Sequence, residues 1–199
     1  VNFQKPDRVP IDLGAIRASG VNAVVYDELK RRLGITTPTK IHDTMQILAE
    51  VELQVLDQLG ADIIPLDAAD AAWPEQDATS GIEKRLFCGM DVHFPPDTRI
   101  AVEEAGSWVL RDAQDRVFAR MPRDGLYFDF TRPTMADAQI DPDSFRPAHT
   151  VPEARLDIMA QRGRLLYEET DKAILGWGSC LSVLGLSALL MVPALSIKY

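Results

Sequence analysis

Three residues stand where short apolar runs give way to loops, and their types could do chemistry. Val9-Pro-Ile-Asp-Leu13 runs into Gly14-Ala-Ile-Arg-Ala-Ser-Gly20, which puts Asp12 at the end of an apolar run and Arg17 in the loop behind it. Ala61-Asp-Ile-Ile-Pro-Leu-Asp67 ends in a second carboxylate. In α/β folds that edge is where reacting groups are placed. A carboxylate there can stabilise positive charge that develops in a dry pocket, and an arginine there can grip a carboxylate with its guanidinium fork. The same residue types serve plainer ends. Aspartates cap loops and helices, and surface arginines form weak ion pairs.

Other chemistries find less support. His42, His93 and His149 stand apart, and neither Cys88 nor Cys180 has a histidine two residues away. Cys88 near His93 is not a recognisable zinc spacing, so no metal ligands are assigned and both cysteines read as small core residues. No glycine-rich phosphate loop, Walker sequence or Gly-x-Ser-x-Gly elbow is present. Tyr127, Phe128 and Phe130 read as sheet core rather than as a pocket lining.

The elements that must position these residues follow from the pattern. Val9–Leu13 reads as a short strand, with Pro10 tolerable at its start. A helix is expected over 22–33, with Asn22 as N-cap, Gly34 just past its end and an apolar face of Val25, Leu29 and Leu33. A second helix is expected over 41–59, with Met45, Leu48, Val55, Leu56 and Leu59 on one face and Gly60 at its end. Residues 61–67 then read as a buried strand, and 68–97, rich in Ala, Pro, Asp and Gly, as a long loop. Four β-rich segments within 98–130, separated by turn residues, predict an antiparallel meander. Thr150-Val-Pro-Glu153 is a capping-box pattern opening a third helix to about residue 170. Lys172–Trp177 reads as another core strand.

The chain has 199 residues, a net charge of −9 and two cysteines. The length suits one domain. The acidity argues against a duplex nucleic-acid partner, and the sparse cysteines suit a reducing cytoplasm. The N-terminal residues are too polar for a signal peptide, and the absence of an initiator Met fits a trimmed chain or a fragment. From Ala173 to Ile197 no residue is charged, which by length is a membrane-span candidate. Dilution by Gly and Ser and the break at Pro193 favour a strand, a loop and a buried helix. A non-native tail over 188–199 is the remaining alternative.

Pro6–Gly14, Tyr26-Asp-Glu-Leu-Lys…Leu33-Gly-Ile35, Leu59–Asp67, Gly125–Asp129 and Thr170–Leu175 together resemble the uroporphyrinogen decarboxylase family, in its decarboxylase-like and corrinoid-methyltransferase branch. The resemblance covers about residues 5–185 and rests on the order of these segments. It implies an α/β fold: the N-terminal half of a TIM (β/α)8 barrel over 1–199, with 68–130 as a loop and β-meander insertion. A half barrel leaves open sheet edges, so self-association or a complementary half is expected. The implied activity is cofactor-free decarboxylation of a tetrapyrrole or related carboxylate. Asp67 would be the catalytic carboxylate, with Arg17 and Asp12 binding the small-molecule substrate. The family's decarboxylases carry two arginines in an Arg-Gln-Ala-Gly-Arg motif, whereas this loop has one. That departure favours the alternative, a methyltransferase using zinc and a corrinoid partner, whose zinc ligands would lie beyond this chain. An inactive fragment that needs its other half is a third reading.

Overall fold

Asn22 opens the first helix of the computed structural model, which describes residues 7–66, 82–86, 89–96, 98–131 and 153–176. Its Oδ1 accepts from the Val24 N–H at 3.1 Å, satisfying a donor that has no partner inside the helix. Helix α1 spans Ala23–Arg32. It ends before Gly34, whose φ of +74° is a left-handed conformation that glycine adopts without a Cβ clash. Of the expected apolar face, Leu29 and Leu33 pack against the main core while Val25 does not. Val25 is 62% exposed, and the buried residues are Ala23, Tyr26 and Lys30.

The reason is a polar well beneath the helix. Lys30, only 1% exposed, donates from Nζ to the Thr37 carbonyl at 2.7 Å, to Thr37 Oγ1 at 3.3 Å and to Glu52 Oε1 at 2.9 Å. It also lies 5.2 Å from the centroid of the Tyr26 ring. A fully partnered ammonium can be buried where an unpartnered one would be expelled. The Tyr26 hydroxyl accepts from the Glu52 N–H at 2.9 Å. Burial pushes this hydroxyl above its usual range, and the nearby carboxylates of Glu52 and Glu50 add to the push, so it stays protonated.

The helix expected over 41–59 is also corrected. Strand β1 spans Thr39–Asp43, strand β2 Leu48–Ala49, and only Leu53–Gln58 is helical, as α2. Thr39, Ile41 and Asp43 are buried while Lys40 and His42 are half-buried. That period of two outweighs the helical spacing of Met45 and Leu48. The Asp43 side chain then accepts from the Gln46 N–H at 2.8 Å and turns the chain back.

The remaining elements are β3 (Ile63–Pro65), β4 (Ile82–Arg85), β5 (Asp91–Phe94), β6 (Ile100–Val102), β7 (Trp108–Arg111), β8 (Val117–Met121), β9 (Asp129–Phe130), α3 (Glu153–Glu169) and β10 (Ala173–Leu175). They form a mixed sheet in the order β2-β1-β5-β4, a two-stranded parallel sheet β10-β3 and an antiparallel sheet β6-β7-β8-β9. The β-rich segments of 98–130 thus fall on the meander β6–β9. In its β7–β8 turn Asp112 Oδ1 accepts from the N–H groups of Gln114 and Arg116, both at 2.9 Å. The hairpin β4–β5, by contrast, lies inside the stretch read as a loop.

A half TIM barrel is not what these strands build. Such a fold needs successive parallel strands as neighbours in one sheet, with helices between them. Among the described residues the one wholly parallel sheet has two strands, and the other two sheets contain antiparallel pairs. Val9–Leu13 forms no strand, since Pro10 lacks a donor and Val9 and Ile11 are exposed. The open-edged half barrel, from which self-association was expected, is therefore absent from the described residues. The run from Ala173 begins with β10, and residues 177–199 lie outside those described. No described helix is long and apolar enough to cross a membrane.

The main core joins α1, the mixed sheet and the meander through Tyr26, Ile41, Val92, Phe94, Trp108 and Met121. A smaller core packs Leu56, Ala61, Ile64 and Leu166 around β3. Leu13 and Val51 touch both.

The N-terminal segment is docked by a side chain. Asp62 accepts from the Ile11 N–H at 2.7 Å and from both terminal nitrogens of Arg8 at 2.6 Å, while its own N–H donates to the Ile11 carbonyl. The Ile11 N–H, then the Arg8 guanidinium, holds the Asp62 carboxyl below its usual range. A depressed folded-state value adds stability that is present above the unfolded value and is lost as pH falls through the folded one. The stability difference between wild type and Arg8→Gln, read from urea midpoints, is therefore expected to be present at about pH 6 and to narrow below about pH 3. An unchanging difference would show that the pair adds no linked stability.

Candidate functional site

The loop carrying Asp12 and Arg17 is closed by its own short side chains. Asp12 Oδ1 accepts from the Ala15 N–H at 3.0 Å. Ser19 Oγ accepts from the Ile16 N–H at 3.2 Å and donates to the Ile16 carbonyl at 3.1 Å. The Gly14 N–H donates to the Ser19 carbonyl at 2.9 Å, and Arg17–Ser19 makes a single 3-10 turn. Gly14 has a φ of +83°, and a Cβ there would sit 2.5 Å from Val51 Cγ2. The backbone thus approaches the chain below it more closely than any side chain would permit.

Beneath this loop lies the β1–β2 turn. Arg17 Nε stands 2.6 Å from Asp43 Oδ2, with the arginine side chain 56% exposed and the aspartate side chain 2%. The turn is gripped from several directions. Phe128 donates from its N–H to the Met45 carbonyl, Asn22 Nδ2 donates to the Gln46 carbonyl at 3.3 Å, and the Ala23 N–H donates to the Ile47 carbonyl. Ile47 is buried with a φ of +52°, which for a β-branched residue is an outlier. Such strain persists only where the surroundings over-determine the conformation.

The predicted residues divide three ways. Asp12 is a cap of its own loop, consistent with its ordinary use as a turn former. Arg17 is an anchored but largely exposed cation. Asp67, named as the catalytic carboxylate, lies outside the described residues, as do Cys88, His149 and Cys180. His42 and His93 are on neighbouring strands, with Lys40 directly across from His93. Among the described residues no three metal-ligating side chains gather. The residue that sequence reasoning missed is Asp43. It was hidden in a segment read as helix, and its one signal was an aspartate three residues ahead of Gln46, the spacing it uses to turn the chain.

Comparison of the chain with family models, curated proteins and solved structures finds no match.

Proposed function

We propose that this chain is part of a decarboxylase-like protein of the uroporphyrinogen decarboxylase kind, acting on a small molecule that bears carboxylates. Arg17 holds one carboxylate of the substrate. Asp12 shapes the loop around it, and Asp67 supplies the negative charge that stabilises the protonated intermediate. The part given to Asp67, and the independence from any cofactor, rest on the ordered resemblance of the five segments quoted above.

The observation that carries the reading is the posture of Arg17. Its side chain is more than half exposed, yet its guanidinium is paired from below with a buried carboxylate. A side chain held this way meets an anion with little further loss of rotamer entropy. Charge-assisted hydrogen bonds to a carboxylate are the strong kind.

Fluorescence anisotropy with uroporphyrin tests the reading. Wild type is expected to bind the porphyrin, and Arg17→Ala to bind it about tenfold more weakly, the loss of one charge-assisted contact. Equal binding by the two proteins would remove Arg17 from the site.

A further inference from the structure

We infer that Asp43 is a positioning residue for the Arg17 guanidinium, fixing it by an ion pair on its Nε side so that its two terminal nitrogens are presented to a single carboxylate. The inference rests on the reading of Arg17 as a carboxylate-binding residue.

Three observations carry it. The contact from Asp43 is to Nε, at 2.6 Å, and among the described residues it is the carboxylate paired with Arg17. The pair is an ionic contact on the Nε edge, and the terminal nitrogens of a guanidinium are spaced to meet both oxygens of one carboxylate. Asp43 is itself buried and immobilised, since its other oxygen accepts from the Gln46 N–H at 2.8 Å. Finally, the turn that holds it keeps Ile47 at a left-handed φ of +52°. A backbone cost maintained directly beside a buried carboxylate and an exposed cation is the association expected of a preset site.

The arrangement also limits what is bound. The buried carboxylate offsets the charge of Arg17, so attraction comes from directed hydrogen bonds more than from net positive charge. A flat carboxylate fits that demand better than a diffuse anion does. One anchored arginine meets one carboxylate, so a substrate with several carboxylates must place the others elsewhere.

The test uses uroporphyrin as the probe and five proteins: wild type, Arg17→Ala, Arg17→Lys, Asp43→Asn and the Arg17→Ala/Asp43→Asn double variant. Asp43→Asn is expected to weaken binding about fivefold in the wild-type background and to change nothing when Arg17 is already alanine, since residues acting through one contact are not additive. Equal weakening in both backgrounds, or none in either, overturns the inference. Arg17→Lys keeps a cation beside Asp43 and so protects the fold. It is expected to bind as weakly as Arg17→Ala, because one ammonium cannot serve Asp43 and grip a carboxylate at two points. Wild-type affinity in Arg17→Lys overturns the inference even if Asp43→Asn fails to fold. Loss of binding in Arg17→Ala together with wild-type affinity in folded Asp43→Asn removes Asp43 while leaving the proposed function standing. Absence of binding by wild type removes both.

Discussion

Replacing Lys30 with alanine is expected to destabilise the protein by about 3 kcal/mol, within the range found when a fully buried long side chain is truncated to alanine. The side chain is 1% exposed and ties three segments together: α1, the loop at Thr37 and the approach to α2 at Glu52. Alanine removes the ammonium and the methylenes at once. It leaves the Thr37 carbonyl and Glu52 Oε1 without this donor, and it opens a void against the Tyr26 ring. Lys30→Met separates these effects, since it fills the space but carries no charge. Because the Glu52 side chain is 28% exposed, water can reach it, and methionine is expected to recover more than half of the alanine loss. Urea unfolding of the three proteins measures both values. Equal losses for alanine and methionine would show that the polar contacts, and not the packing, dominate.

The second large effect is expected at Gly14. Alanine there meets a φ of +83° and a methyl of Val51 at 2.5 Å. The left-handed backbone costs an L-residue about 1–2 kcal/mol, and forcing an extra carbon into a packed site typically costs about 1–3 kcal/mol. Gly14→Ala is therefore expected to lose about 2–5 kcal/mol, the sum of these two ranges. Val51→Ala in the same chain removes the clash and leaves the backbone strain. The double variant is accordingly expected to be less destabilised than the two single losses added together, which a double-mutant cycle measures directly. Strict additivity would mean that the loop lifts away from Val51 instead of pressing on it. In that case the loop would also carry Arg17 out of reach of Asp43, and uroporphyrin binding would fall with stability.

What could be read from the sequence was local. The start and end of α1 follow from Asn22 and Gly34, and the meander follows from β-rich segments parted by turn residues such as Asp112, because caps and turns are decided within a few residues. The errors arose where distant partners decide. Val25 repeats with Leu29 and Leu33 as an apolar face should, yet Val25 is exposed and Tyr26 and Lys30 are buried, because Glu52 and Thr37 wait beneath them. Met45, Leu48 and Val55 suit a helix, yet the alternation of Thr39, Ile41 and Asp43 prevails once β5 is available to pair with β1. The half barrel was what the family resemblance implied, and strand neighbours, which overturn it, are the property least visible in a chain read in order. Asp43 was overlooked for the same reason, since its importance comes from Arg17 reaching it across 26 positions.

Asn22 has a bearing on how the protein is made. Its Oδ1 starts α1 within two residues, but its Nδ2 donates to the carbonyl of Leu126, which is 104 positions further along. On a ribosome adding about 5–20 residues per second, that acceptor emerges on the order of ten seconds after the helix it helps to secure. During that interval the capping amide has only its nearer acceptor, the Gln46 carbonyl at 3.3 Å. The segment between β8 and β9 then supplies the Leu126 carbonyl to this amide and the Phe128 N–H to the Met45 carbonyl. Such long-range closure is slow compared with helix formation, and the main core, which draws on residues from both stretches, is complete only once they have joined.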